Sequence, residues 1–413
     1  MRPTIHTAQS HHSFRTFKAV ILALVLSQAS SCVPTPPPPP PVATLDEVQT
    51  DISRGGRTVA VTISPTNKQL AIAASESGGL FRTTDGGTTW QHIDGFPPFR
   101  MVDVAFAEPS SSNSQVVIAT AIKDAQLSTS FNNGGIWLSK DSGQTWAHVL
   151  PAAACPPPQS AFGIAFSGAS SIFVAADCGL LSSSDLGSTW TTILADPVRS
   201  VVAQPLGTNT LIDVCLQGGG HRRSTDGGST WSTTHFGPTC ETAHAIAVSP
   251  LEANVLFATF ATSPGTGLRE SDDGGQTWST DLQATAYNER PVWVRTRRAS
   301  DQSATHFDLY FPGRRVTCSN STAGPRCLSN VGETWARVPA SGLNHDISGL
   351  AFDPDGNCPL LMVGDYGIYR AGISTPTAPC GEDAAWTHVG RASTGLQSLQ
   401  IYQVAGQLHY PIH

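Results

Sequence analysis

Short runs rich in β-branched and aromatic residues recur along the chain, each bounded by turn-forming residues. The first are Thr-Val-Ala-Val-Thr-Ile at 58–63, Leu-Ala-Ile-Ala at 70–73 and Gly-Leu-Phe-Arg at 79–82, separated by Ser-Pro, Asn-Lys and Gly-Gly. Runs of this length with such boundaries predict short strands joined by tight turns. Near-copies follow at 102–106, 162–166, 245–248 and 347–352. No helical periodicity of useful length follows the N-terminus, which predicts an all-β chain.

An octapeptide punctuates these strands. It reads Ser/Thr, any residue, Asp, any residue, Gly, any residue, Thr, Trp, at 83–90, 139–146, 183–190, 224–231 and 271–278. A worn copy at 328–335 keeps Gly332, Thr334 and Trp335 but carries Asn330 in place of Asp. The Trp positions 90, 146, 190, 231, 278 and 335 are separated by 56, 44, 41, 47 and 57 residues, and Trp386 follows after 51 more. Each interval holds four short strands with their turns, so the repeat dictates the architecture. Within the octapeptide, Asp and Ser/Thr side chains bond nearby backbone N–H groups, and Gly supplies a positive φ. The Trp packs a large ring while keeping its N–H near the edge.

These octapeptides resemble the Asp-box, or BNR, repeat, and Gly-Gly-Leu-Phe-Arg-Thr-Thr-Asp-Gly-Gly-Thr-Thr-Trp at 78–90 is close to that family's typical form. The resemblance spans about residues 54–394 and implies a seven-bladed β-propeller of four-stranded antiparallel blades. It also implies that the boxes lie at the outer edges of the blades, away from the ligand face. Asp85, Asp141, Asp185, Asp226 and Asp273 are therefore read as turn-formers, not catalytic acids.

The N-terminus reads as a targeting segment. Arg15 and Lys18 precede an apolar stretch at 19–26 that is too short to span a bilayer and suits a signal peptide. It leads into Ala29-Ser30-Ser31-Cys32, which resembles a bacterial lipobox and makes Cys32 a candidate lipidation site; ordinary cleavage nearby would release a secreted protein. The prolines of 33–53, with an unbroken run at 36–41, predict a stiff polyproline II stalk of about 3.1 Å per residue. Residues 1–32, 33–53, 54–394 and 395–413 are thus expected to be signal segment, linker, propeller and an accessory or incomplete extra strand. The location implied is extracytoplasmic, as a cell-envelope lipoprotein or a secreted protein.

Cys32 apart, eight cysteines remain, an even number that in an exported chain points to disulfides. Spacing within the repeat favours 155–178, 215–240, 318–327 and 358–380, that is Cys155 with Cys178, Cys215 with Cys240, Cys318 with Cys327 and Cys358 with Cys380. No Cys-x-x-Cys occurs, so no metal is expected, and no cofactor either. The net charge is −7 with dispersed basic residues, which argues against a nucleic-acid surface.

Propeller ligands usually bind at one channel mouth, on loops leading into the innermost strands. Those loops carry Arg54, Arg57, Arg100, Asp103, Arg199, His244, Tyr287, Glu289, Arg290, His345 and Asp346, groups of both signs suited to a protein or a glycan. The chain also resembles Asp-box sialidases and glucan-cleaving enzymes, which makes a glycoside hydrolase the alternative. The sialidase Phe/Tyr-Arg-Ile-Pro motif before the first box is missing, and Phe99-Arg100-Met101-Val102 follows that box instead. Gly-x-Ser-x-Gly, the phosphate-cradling Gly-Lys-Ser/Thr loop and His-Glu-x-x-His are absent as well. The reading favoured is a propeller that binds a partner without chemistry, as sortilin-type and photosystem-assembly propellers do.

Overall fold

The computed structural model describes residues 57–97, 100–108, 114–123, 134–149, 159–233, 235, 240, 243–262, 265–279, 283–285, 293–296, 306–311, 314–319, 336–337, 347–354, 359–365, 367–371, 386–390 and 396. All belong to the unit Thr50–His413. Arg54, Cys32, the expected signal segment and linker, and the worn box at 328–335 lie outside the described residues.

The described strands form seven antiparallel sheets, each built from consecutive segments. The first comprises Thr58–Ser64, Asn67–Ser75, Gly79–Thr83 and Gln91–His92, hydrogen-bonded in that order. The innermost strands of the next three are Met101–Phe106, Ala161–Ser167 and Val198–Leu206. Those of the last three are Ile246–Val248, Trp293–Thr296 and Ile347–Phe352. Six sheets have four strands. The fourth has three, and its third strand, His221–Ser224, is met at the edge by His235, which exchanges backbone hydrogen bonds with His221 at 3.0 and 3.1 Å. The second strand of the second sheet, Val117–Ala121, is buried along its whole length. A strand covered on both faces reads as a continuous apolar run instead of an alternation.

The octapeptide sits between third and fourth strands and closes its own turn. The Ser224 hydroxyl donates to Asp226 Oδ1 at 2.8 Å and accepts from the Gly228 N–H at 2.8 Å. Asp226 in turn accepts from the Thr230 N–H at 2.9 Å and the Thr230 hydroxyl at 2.5 Å. The same bonds recur around Asp85, Asp141, Asp185 and Asp273. The threonine hydroxyl, then its N–H and the serine, hold Asp185 and Asp226 at about 2, below the ordinary 3.8. Their folded-state values are depressed, so their stabilisation is complete above about pH 4 and is lost as pH falls toward 2. Asp226→Asn is expected to lower the urea midpoint at neutral pH and to shrink the further drop at about pH 3. An acid-induced drop as large as the parent's would contradict this.

Each described box seals its sheet to the preceding one. Trp146, Trp190, Trp231 and Trp278 pack into apolar clusters spanning the first and second, second and third, third and fourth, and fourth and fifth sheets respectively. Trp90 of the first sheet follows the same rule with the seventh as its predecessor, beside Leu361, Val363 and Ile368. At that seam the Ser348 hydroxyl donates to the Thr58 carbonyl at 2.7 Å, and Lys68 Nζ lies 2.7 Å from Asp353 Oδ1. Leu396, the one described residue of the expected tail strand, is buried in the same cluster.

Cys215 and Cys240 are disulfide-bonded with Cα atoms 5.5 Å apart, tying the fourth sheet to the segment leading into the fifth. Cys178 and Cys318 are bonded too. Their expected partners Cys155 and Cys327, and the pair Cys358 and Cys380, lie outside the described residues.

Candidate functional site

The innermost strands of six sheets line a central channel enclosing about 500 Å³. Its walls are mostly short apolar side chains, because small residues such as Ala60, Ala105 and Ala203 face a crowded axis. Four titratable residues break this lining: Asp103, Glu108, His244 and Asp353.

Two of the expected site residues meet there. Asp103 is the third residue of the second sheet's inner strand and is 3% exposed. Its Oδ1 accepts from the Val104 N–H at 2.9 Å, and its Oδ2 from the Ile164 N–H of the third sheet at 3.2 Å. His244, on the approach to the fifth sheet, places Nε2 3.4 Å from Asp103 Oδ1. Asp103 thus works as a clasp joining three sheets.

The other expected residues are dispersed. Arg57 is paired with Glu76 and Asp365, both at 3.2 Å, across the seam of the first and seventh sheets. Arg199 stacks its guanidinium 4.0 Å above the Phe162 ring. Arg100 is exposed, and its carbonyl accepts from the Ile122 N–H. Tyr287, Glu289, Arg290, His345 and Asp346 lie outside the described residues.

Sequence reasoning missed two groups. Glu108 and Asp353 sit at the far ends of inner strands, each immediately before a proline, and that acid-Pro pairing at a repeat position was the available signal. The second is Asp213, His221 and Arg223 in the fourth sheet. His221 Nε2 donates to Asp213 Oδ1 at 2.7 Å, while Arg223 grips the same carboxylate with Nε at 2.7 Å and Nη2 at 3.0 Å. His221 occupies the position of Leu80, Ile136, Leu180 and Leu268 in the repeat, so a polar residue in an apolar column was the clue. Among the described residues, no three His, Cys, Asp or Glu side chains are grouped to hold a metal ion.

No protein-family model matches the chain, and no curated protein does. Among solved structures it is similar to an ancestral GH74 enzyme, with a TM-score of 0.60 at 17% identity. That likeness covers 81% of this chain and 46% of the enzyme, so the chain spans about half the enzyme's length. The fold is a β-propeller. The propeller is also similar to YCF48 from Cyanidioschyzon merolae, at 15% identity and a TM-score of 0.47, covering 76% of this chain and 94% of that one. A YCF48 bound to a D1 peptide gives 15% identity and a TM-score of 0.45, with coverages of 76% and 92%.

Proposed function

We propose that this chain is a closed, seven-bladed Asp-box propeller that binds a protein or glycan partner at its channel, outside the cytoplasm, without catalysis. Closure is supported by Trp90, which packs against the seventh sheet as Trp146, Trp190, Trp231 and Trp278 pack against the sheets before theirs. The Cys215–Cys240 disulfide suits an oxidising compartment.

The observation that carries the non-catalytic reading is the state of the channel carboxylates. Glycoside hydrolysis commonly needs two carboxyl groups free to face the scissile bond, one donating a proton and one attacking or activating water. Asp103 has both oxygens occupied by backbone N–H groups, and Asp353 is held by Lys68. Releasing either would cost structural bonds at a seam between sheets. The full chain is expected to leave a panel of fluorogenic glycosides uncleaved while retaining ligands on glycan or peptide arrays. Turnover of any glycoside that disappears in Asp103→Asn or Glu108→Gln would establish the hydrolase instead.

A further inference from the structure

The two ends of the channel differ. At the end where inner strands begin, the Ala243 carbonyl oxygen of the fifth sheet's approach would lie 2.7 Å from a Cβ added at Gly163 of the third. His244 reaches Asp103 of the second sheet at the same level. Segments from opposite sides of the ring thus narrow that end. At the other end the lining is formed by Pro65, Glu108, Gln204, Val248 and Pro354, at or near the ends of inner strands. The Asp boxes lie at this second end, since Gly86, Gly227 and Gly274 donate backbone N–H bonds to Gln69, Thr210 and Asn254 at the starts of the second strands.

Glu108 is the channel carboxylate that differs from the others. Asp103 and Asp353 have partners, whereas Glu108 has no hydrogen-bond or ion-pair partner among the described residues. Its carboxylate stays open to the channel, yet burial by the surrounding walls pushes its pKa up. A partly desolvated, unpaired carboxylate is a standing cost that an incoming cation removes. Phe166 and Phe352 line the channel at the same level and are only partly buried. Aromatic walls around an acid suit the alkyl stem of a long basic side chain, and a ring face also attracts its charged head.

We propose that the Asp-box end of the channel is a binding pocket for a basic side chain of a partner peptide, whose ammonium or guanidinium group pairs with Glu108. This rests on the binding reading above, but it places the ligand at the Asp-box end of the channel, opposite to the loops leading into the inner strands where the family resemblance put it, and it specifies the chemistry of the ligand.

The test uses the full chain and an array of twelve-residue peptides containing Lys or Arg, each with acetyl-lysine or citrulline counterparts. Spermidine serves as a free competitor. Basic peptides are expected to bind, and their neutral counterparts to bind less well. Glu108→Gln is expected to weaken the basic peptides by roughly ten- to a hundredfold, the worth of a charge-assisted bond. Glu252→Gln, at the same end but outside the cavity lining, is expected to change binding little. Equal weakening by the two variants would reduce the effect to diffuse surface charge and overturn the pocket. Spermidine binding as tightly as the peptides would overturn the peptide source. Should neutral peptides or glycans bind regardless of Glu108→Gln, the pocket fails while the binding function stands. Glycoside turnover without any binding to the array would sink the binding reading itself.

Discussion

Replacing Asp213 with alanine is expected to destabilise the fold by about 3–5 kcal/mol, the cost of removing one partner from a buried charge pair. Asp213 and His221 are both fully buried, and the Arg223 side chain is 10% exposed. Without the carboxylate, a guanidinium and an imidazole N–H remain in the seam between the fourth and fifth sheets with their shared acceptor gone. The site cannot relax easily. A Cβ added at Gly275 in the following box would lie 2.3 Å from the His221 ring, so imidazole and box backbone are already in close contact. The repeat supplies its own control. Strand register places Ile118, Ile136 and Leu138 of the second sheet where the fourth has Asp213, His221 and Arg223. Asp213→Ile, His221→Ile and Arg223→Leu together are expected to restore parent stability or exceed it, because a buried ionic group replaced whole by apolar side chains is often neutral to stabilising by about 1–4 kcal/mol. Urea midpoints of the single and triple variants check both. A single-variant loss no larger than that of an exposed substitution would mean that the trio carries no buried-charge energetics.

What the residue pattern revealed depends on how far the relevant interactions reach along the chain. The box hydrogen bonds join residues two to four apart, so eight consecutive residues were enough to read the turn and its aspartate. The inner strand at 58–63 was legible for the same reason and was found as Thr58–Ser64. Asp103 and His244 are both expected on loops, yet their meeting joins the second sheet to the approach of the fifth, segments more than a hundred residues apart in the chain. No local pattern records that. Glu108 was hidden differently: as one acid beside Pro109 at the end of a strand it resembles any solvated turn residue. The channel walls shield it only in part, since the residue stays exposed, but enough to push its pKa up. The Asp213 trio shows the converse, since His221 breaks an apolar column that the repeat displays openly once strands are aligned in register.

Removing the disulfide with Cys215→Ala and Cys240→Ala is expected to cost about 3.5 kcal/mol, the loop-closure value for a bridge spanning 25 residues. Alanine suits the test because both sites are buried, and a serine hydroxyl there would add a separate desolvation penalty. The bridged segment contains the third strand of the fourth sheet and its whole box, so the crosslink and the Asp213 trio secure the same seam. Cys240 also lies just before Ala243 and His244, the residues that narrow the channel where inner strands begin. A loosened Cys240 would therefore slacken the His244 contact with Asp103 while leaving Glu108, at the other end, unchanged. The disulfide-free variant is accordingly expected to lose stability but to retain any Glu108-dependent binding in conditions where it remains folded. Combining it with Asp213→Ala extends the argument. Two devices on one seam are expected to give a combined loss that departs from the sum of the single losses by more than about 0.5 kcal/mol. Strict additivity would mean that the disulfide acts only on the unfolded chain and leaves the seam to the buried carboxylate.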